Sequence, residues 1–266
     1  MCMTGMASAQ VDVGIGPREE PGDMKEQRLL KDVADLASPA NGWYAHEKTY
    51  FAVGGGDELD AKFQVSFKFR IANRVFFGYS QANVWDLHSE SKPFRDTSFR
   101  PSLFYYLPSR DDAGRARLGY AAGYEHESNG KAGTDSRSIH ILFVRPVLPV
   151  GPADEYHWLI APKLYAYLSK EGTTSDLQKY RGFADLFVAW QKDDGLGLAV
   201  TGRKGTQGGR GSVTAELSWP AGRWITNMPG YFYAQLFSGW GETLLDYNVR
   251  SDTQFRVGFM AVRDTW

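Results

Sequence analysis

Hydrophobic and polar residues alternate with a period of two along most of the chain beyond residue 41. The alternating stretches are short and are separated by turn residues, a pattern that predicts β-strands rather than helices. Candidate strands lie at 49–54, 61–71, 74–86, 96–107, 116–127, 136–147, 156–168, 180–191, 195–204, 211–219, 230–239 and 253–263. Several have close to the roughly 9 to 11 residues that a tilted strand needs to cross a membrane. The pattern therefore predicts an all-β fold with strands long enough to span a bilayer.

The predicted strand at 116–127 indicates which face would meet lipid. Leu118, Tyr120, Ala122 and Tyr124 form an apolar or aromatic face, whereas the residues that alternate with them are glycine, alanine or glutamate. In a membrane barrel the apolar face points outward and the polar face lines the interior. A soluble two-sheet sandwich also alternates in this way, so the period alone leaves both architectures open.

The connections between the predicted strands favour the barrel. Tight connections, such as 71–73 and 192–195, alternate with longer ones, such as 169–179 and 240–252. Short turns on one rim and long loops on the other are typical of transmembrane barrels. Together with the twelve candidate strands, the connections favour a twelve-stranded antiparallel transmembrane β-barrel over residues 42–266, and the soluble sandwich remains the alternative.

Residues 1–41 differ in character from the rest of the chain. They are polar and charged from residue 10 onward, with a brief helical pattern at 29–36. Ala7-Ser8-Ala9 fits the small-x-small pattern at which secretory signals are cleaved, although no basic and apolar region precedes it. We expect a mobile N-terminal segment, and the Ala-Ser-Ala motif is interpreted either as the remnant of an export signal or as a chance match.

Composition agrees with a membrane barrel and argues against some other functions. Phe, Trp and Tyr make up 14% of the chain and there are 29 glycines, a mixture that suits many strands with aromatic girdles. The formal net charge is -1, from 30 basic and 31 acidic residues, so there is no electrostatic reason to predict nucleic acid as a partner. The single cysteine, Cys2, excludes an intramolecular disulfide.

His126 and Ser128 are the first candidates for chemistry. They are two residues apart on a predicted strand, so their side chains share a face with Tyr124. Serine becomes a good nucleophile when a neighbouring base accepts its proton, and histidine serves as that base at neutral pH. Gly130 offers a backbone N–H that would approach a developing oxyanion without a side chain in the way. Taken alone, however, His-x-Ser on a strand is a common and usually structural pattern.

Longer blocks of sequence narrow the interpretation. Residues 123–130 read Gly-Tyr-Glu-His-Glu-Ser-Asn-Gly and are followed by Asp-Ser-Arg-Ser at 135–138; further blocks lie at 91–97 and 237–248. In order and content, over residues 45–266, these blocks resemble the signature of the outer-membrane phospholipase A family. The resemblance implies a twelve-stranded barrel in a Gram-negative type of outer membrane. It also implies calcium-dependent hydrolysis of the sn-1 and sn-2 esters of phospholipids and lysophospholipids, which is phospholipase A1 and A2 activity.

The resemblance also assigns roles in the central block. Ser128 matches the nucleophile, His126 the general base, and Gly130 the residue whose amide helps to form the oxyanion hole. The family usually has asparagine fourteen residues after the catalytic histidine, where this chain has His140. A neutral His140 would accept the Nδ1–H of His126 as the asparagine carbonyl does, whereas a protonated one would repel the imidazolium. We therefore expect activity to fall more steeply on mild acidification than in members with asparagine.

Calcium binding and dimerisation are implied by the same resemblance. The matching ligands are the Ser136 side chain and the Lys131 backbone carbonyl, with Ser91 of the partner subunit completing the site. Oxygen ligands of this kind suit a hard cation. Because one ligand would come from a second copy of the chain, a monomer lacks a complete site, and the active form is expected to be a homodimer. Gln81 matches a polar interface position in the family, and a Gln81 side chain that faces the lumen is the alternative.

Other classes of protein are weighed against this interpretation. The departure at His140 keeps open a barrel without catalysis, either a narrow pore or a structural protein. A soluble binding sandwich is disfavoured by the outward aromatic residues. Glu242, Asp246 and Asp86 are interpreted as solvated acids of loops and strand ends rather than as the paired carboxylates of a glycosidase.

Overall fold

The computed structural model describes residues 42–56, 58–111, 114–172, 174–192 and 194–264. Within these ranges thirteen β-strands form one antiparallel sheet. The strands are β1 (Trp43–Ala45), β2 (Thr49–Gly55), β3 (Leu59–Ala72), β4 (Val75–Asp86), β5 (Phe94–Leu107), β6 (Gly119–Ser128), β7 (Arg137–Val150), β8 (His157–Gly172), β9 (Ala184–Gln191), β10 (Gly197–Lys204), β11 (Gly211–Pro220), β12 (Tyr231–Trp240) and β13 (Arg250–Val262).

Within the described residues, helical segments are short and lie in the connections. Two 3₁₀ turns occupy Gly133–Asp135 and Ala221–Arg223, and one α-helix, α1, occupies Gln178–Arg181. In the described ranges, no helix has the length and apolar character needed to span a membrane.

The sheet closes into a barrel of twelve strands, β2 to β13. Each of these strands pairs with the next one in the chain, and β13 returns to pair with β2 through residues 255–262 and 49–55. Closure removes free sheet edges, which in lipid would expose backbone groups that no water can satisfy. The additional strand β1 pairs with β3 in line with β2, with Trp43 opposite Phe69. The predicted twelve-stranded antiparallel barrel is confirmed, and β1 extends its first strand.

Strand β7 shows how the alternating pattern produces two faces. Ile141, Phe143 and Val147 are buried, whereas Leu142 and Val144 are 49% and 41% exposed. Similar exposed side chains on other strands are Phe51, Val65, Leu103, Trp158, Leu186, Val200 and Phe255. A closed barrel with an apolar outer surface is the arrangement of a membrane barrel. The soluble sandwich considered from the sequence is therefore wrong.

Paired charges fill much of the barrel interior. Glu125, which the strand pattern placed on the inner face of β6, lies 2.7 Å from the ammonium of Lys163. Asp185 lies at the same distance, 2.7 Å, from the guanidinium of Arg203. Buried charges are costly unless they are paired, so each pair fixes the two strands that carry it. An interior held together in this way does not favour the narrow-pore alternative.

The position of Glu242 differs from the prediction. Its side chain, in the connection between β12 and β13, is 1% exposed rather than solvated. The carboxylate binds Lys62 at 3.0 Å and Arg256 at 2.6 Å. The expectation was wrong because the partners come from β3 and β13, which are distant in the chain, and no local sequence pattern reveals that they meet.

The two rims of the barrel differ less than predicted. The short connections β3–β4 and β9–β10 lie on the rim where β2 begins and β13 ends, and the long connections β8–β9 and β12–β13 lie on the opposite rim. The β11–β12 connection, 221–230, is also long, yet it lies on the first rim. A hydrogen bond from Ala221 N to Gly230 O, 3.0 Å long, closes this connection. Local hydrogen bonding thus stabilises a long connection on the rim that also carries the tight turns.

Some predicted boundaries shift by a few residues, and some predictions are not addressed by the structure. β9 begins at Ala184 rather than at residue 180, because α1 ends at Arg181 and Gly182 turns the chain at φ 65°. The predicted mobile segment 1–41, with its helical pattern, lies outside the described residues.

Candidate active site

Ser128 and His126 lie at the end of β6, where the chain enters the connection 129–136. In the register with β7, His126 is opposite His140 and Ser128 is opposite Ser138. These positions alternate with residues of β6 that are buried inside the barrel, so they belong to the outward face. The predicted placement of the Ser-His pair and of His140 on one outer surface is therefore what the structure shows.

The rings of His126 and His140 lie side by side across the two strands. Their centroids are 4.6 Å apart and their planes are inclined by 42°. His140 has a second neighbour, because its Nδ1 lies 2.5 Å from the hydroxyl oxygen of Tyr124. The sequence interpretation missed this contact. The signal was available, since residues two apart on a strand reach the same cross-strand neighbour.

The strand segment that carries the Ser-His pair is fixed from inside the barrel. Glu127 lies between the two residues in sequence and is buried. Its carboxylate accepts a hydrogen bond from Ser98 Oγ at 2.7 Å and another from the Arg181 guanidinium at 2.9 Å. Removing either partner would leave the buried Glu127 carboxylate poorly compensated, which is costly. Both contacts therefore keep the Glu127 side chain in place. The backbone on both sides of Glu127 is held in place by it.

Gly130 has a backbone conformation that explains why glycine is present. Its φ is 66°, which glycine adopts readily and other residues rarely. A Cβ at this position would come within 3.0 Å of the Phe99 ring. Phe99 is the residue of β5 that lies opposite Ser128. Glycine at position 130 therefore leaves the backbone N–H two residues after Ser128 without a side chain beside it.

Asn129 shapes the connection that follows the serine. Its side chain is 3% exposed. The Nδ2 donates to Asp135 O at 2.8 Å, and the Oδ1 accepts from Arg137 N at 3.0 Å and from Lys131 N at 3.3 Å. One side chain thus ties both ends of the connection together. The sequence interpretation gave Asn129 no role, although asparagine before glycine is typical of turns in which the side chain binds nearby backbone.

The three predicted calcium ligands lie on two connections of the same rim. Lys131 and Ser136 belong to the connection shaped by Asn129, and Ser91 lies exposed between β4 and β5. The Lys131 ammonium donates to Arg95 O at 2.7 Å, so its side chain ties the connection to β5 and takes no part in the expected carbonyl contact. In the part of the chain that the structure describes, no group of three or more His, Cys, Asp or Glu is placed to hold a metal.

The available donors nevertheless fit calcium. A hydroxyl from Ser136 and a carbonyl from Lys131 are hard oxygen ligands, which calcium prefers. Both belong to one connection, and hydrogen bonds of the Asn129 side chain set the shape of that connection. These oxygens are neutral, and calcium binds less tightly when its ligands carry fewer negative charges, so weak binding is expected.

Gln81 lies on the outer surface of β4. Its register partner on β3, Val65, is 51% exposed. The Gln81 Oε1 accepts from Tyr79 Oη at 2.8 Å, and its Nε2 donates to Asn83 Oδ1 at 3.1 Å. The alternative in which Gln81 faces the lumen is therefore wrong.

Comparison with known proteins agrees with the fold. A family model described as phospholipase A1 matches residues 35–261. The phospholipase A1 of Salmonella typhimurium is 30% identical over 214 residues, which cover 76% of this chain and 69% of that protein. The phospholipase A1 of Escherichia coli K12 is 29% identical over 211 residues, with coverage of 76% and 69%. That of Proteus vulgaris is 31% identical over 212 residues, with coverage of 75% and 68%.

Solved structures show the same architecture. The outer membrane phospholipase A of Escherichia coli superposes with a TM-score of 0.72 at 26% identity, covering 83% of this chain and 98% of that one. A Salmonella typhi outer membrane phospholipase, solved as a dimer with bound calcium, superposes with a TM-score of 0.73 at 25% identity, covering 87% and 97%. The chain therefore belongs to the phospholipase A1 family and is an outer-membrane β-barrel enzyme that hydrolyses phospholipid esters.

Proposed function

We propose that the chain cleaves phospholipid acyl esters with Ser128 as the nucleophile and His126 as the general base. The observation that carries this proposal is the position of both side chains on the outward face of β6, with His140 directly across on β7. A lipid that surrounds the barrel can approach this face laterally. Its ester group would meet the serine without leaving the membrane surface.

The chemistry proceeds in two steps. His126 accepts the proton of the Ser128 hydroxyl while the oxygen attacks the ester carbonyl carbon, and the Gly130 N–H donates to the resulting oxyanion. When the intermediate collapses, the C–O bond to the glycerol breaks and the protonated His126 gives its proton to that oxygen. Water, activated by the same histidine, then hydrolyses the acyl-serine and releases the fatty acid. We extend the proposal to both sn-1 and sn-2 esters and to lysophospholipids, as the resemblance to the outer-membrane phospholipase A family implies.

Calcium and a second subunit complete the proposal. We infer that the Ser136 hydroxyl and the Lys131 carbonyl would hold calcium together with Ser91 of the partner subunit. The related Salmonella typhi enzyme is a dimer with bound calcium, which supports this inference. When bound there, calcium would supply positive charge close to the developing oxyanion. Because the ligands of one subunit alone are incomplete, dimerisation would activate the enzyme.

Covalent labelling tests the nucleophile directly. A long-chain alkylsulfonyl fluoride should modify Ser128 when the detergent-solubilised protein contains calcium, and peptide mass spectrometry should locate the label. Chelation of calcium should slow labelling, since the proposed site then lacks its charge. Ser138, directly opposite on β7, is the matched control because it shares the same surface. Label on Ser138 instead, or on neither serine, would reject the assignment.

Because His140 stands where the family usually has asparagine, we predict a change in the acid limb of the pH–rate profile. A protonated His140 is unable to accept the Nδ1–H of His126, so activity should fall on mild acidification. In the His140→Asn variant the acceptor does not titrate, and the acid limb of the pH–rate profile should shift to lower pH. Profiles of kcat for the two proteins on the same micellar substrate check this. Superimposable acid limbs would contradict the role given to His140.

A further inference from the structure

Tyr124, His140 and His126 form a continuous series of side chains on the outer face of β6 and β7. The Tyr124 hydroxyl oxygen lies 2.5 Å from His140 Nδ1, and the two rings are stacked with centroids 6.0 Å apart and planes 27° apart. The His140 ring in turn lies 4.6 Å from the His126 ring. Ser128 follows His126 by two residues on the same face. The mechanism above gives Tyr124 no role.

The direction of the Tyr124–His140 hydrogen bond decides whether the second ring nitrogen of His140 is a hydrogen-bond donor or an acceptor toward His126. If the tyrosine donates to Nδ1, the proton of a neutral His140 lies on Nε2, and the nitrogen that remains available to His126 is a donor. His126 would then use Nδ1 as the acceptor toward His140 and carry its own proton on Nε2. A protonated Nε2 is unable to accept the proton of Ser128. If the tyrosine oxygen accepts from Nδ1–H, Nε2 of His140 becomes the acceptor instead. His126 then carries its proton on Nδ1 and presents a basic nitrogen to Ser128.

We infer that Tyr124 is a positioning residue that accepts the Nδ1–H of His140 and thereby selects the catalytically competent tautomer of His126. The inference rests on the proposed Ser-His mechanism. An asparagine at the position of His140 would always present a carbonyl acceptor, because its side chain has only one tautomer. A histidine there has two neutral forms, and it needs a neighbour that favours one of them. Tyr124 occupies the required place, since it is two residues before His126 and reaches the same cross-strand histidine.

A simpler role for Tyr124 is that of an aromatic residue at the membrane interface, where tyrosine is common. Tyr120 provides the comparison. It lies on the same face of β6, is 37% exposed, and stacks on Tyr105 with centroids 5.8 Å apart. If Tyr124 served only as an interface aromatic, replacing either tyrosine with phenylalanine would have the same small effect.

The test is Tyr124→Phe, which keeps the ring that stacks on His140 and removes only the hydroxyl. We expect kcat to fall about tenfold with KM unchanged, which corresponds to the loss of one hydrogen bond that acts in the transition state. Tyr120→Phe should retain wild-type kcat. Equal kcat values for wild type and Tyr124→Phe would overturn the inference.

A double-mutant cycle separates positioning from a structural effect. In a His140→Asn background there is no tautomer to select, so Tyr124→Phe should leave kcat unchanged. If Tyr124→Phe lowers kcat by the same factor in both backgrounds, its hydroxyl supports the surface in general and the inference is wrong.

¹⁵N NMR spectra of the histidine rings report the tautomer of His126 directly, without a measurement of activity. The chain has five histidines, so the ring nitrogens of His126 and His140 can be assigned by comparison with single variants. Wild type should show His126 with its proton on Nδ1, and Tyr124→Phe should reduce that population. An unchanged His126 tautomer would overturn the inference, even if His140→Asn proves too inactive for the kinetic cycle. If Ser128→Ala retained activity, the proposed nucleophile would fail, while the spectra would still report on Tyr124.

Discussion

Replacing Ser128 with alanine is expected to lower kcat for phospholipid hydrolysis by about 10⁴-fold or more, because no acyl-enzyme forms without the serine oxygen. The side chain lies at the outward end of β6 and is only partly buried, so the loss of one oxygen leaves the packing of the barrel intact. Fatty acid release from phosphatidylethanolamine in mixed micelles with added calcium measures the effect. Substrate binding should change little, since the hydroxyl acts in the chemical step.

Ser138→Ala is the matched control for this experiment. Ser138 lies directly opposite Ser128 in the β6–β7 register and on the same surface. The variant should hydrolyse phospholipid at the wild-type rate. Fatty acid release that persists in Ser128→Ala would reject the nucleophile. An equal loss in both variants would instead point to damage of the outer surface.

The alternating pattern was sufficient to predict the strands and the two faces of each, because a barrel strand has one face toward lipid and one toward the interior. Closure into a barrel was predicted only when the connections and the family resemblance were added. On β6, the predicted division between Tyr120 and Tyr124 on one side and Glu125 and Glu127 on the other is the division that the structure shows. The alternating pattern does not reveal which residues pair with the buried charged side chains. Glu242 was expected in solvent because its binding to Arg256 depends on how distant strands close, and that is a property of the whole barrel.

The candidate site was predictable to a similar extent. Spacing along one strand and the register of its neighbour were enough to place His126, Ser128 and His140 on one surface. The contacts of Asn129 and Tyr124 were missed for different reasons. Asn129 binds backbone groups that come together only when the connection folds back on itself. Tyr124 looked like one more lipid-facing aromatic residue, and the role inferred for it depends on the particular atom of His140 that it contacts.

The second large effect is expected on stability, in the variant Arg256→Met. Arg256 is fully buried and binds Asp60 through two nitrogens, at 2.5 and 2.7 Å, and Glu242 at 2.6 Å. Methionine fills a similar space but leaves the Asp60 carboxylate buried without this partner. Breaking a buried ion pair by removing one partner costs about 3–5 kcal/mol. Urea unfolding of the protein in lipid vesicles, followed by tryptophan fluorescence, measures the free energy of unfolding.

An exposed pair provides the control. Arg115 binds Asp111 at 2.7 Å, but its side chain is 81% exposed. Arg115→Ala should therefore cost less than about 1 kcal/mol, as exposed ion pairs do. If Arg256→Met also lowered the free energy of unfolding by less than about 1 kcal/mol, the buried network would contribute little to stability.

The pH dependence of unfolding distinguishes loss of the ion pair from loss of packing. Although burial disfavours its charge, Lys62 and Arg256 lower the pKa of Glu242 from 4.5 to about 2. A carboxylate whose pKa is lower in the folded state stabilises the fold above its unfolded pKa, and that contribution is lost as the pH falls through the folded value. The wild-type barrel should therefore lose stability as the pH falls from 4.5 to about 2. In Arg256→Met the loss over this range should be smaller, because one of the two cations that favour the ionised carboxylate is gone. A packing defect alone would lower stability by the same amount at every pH.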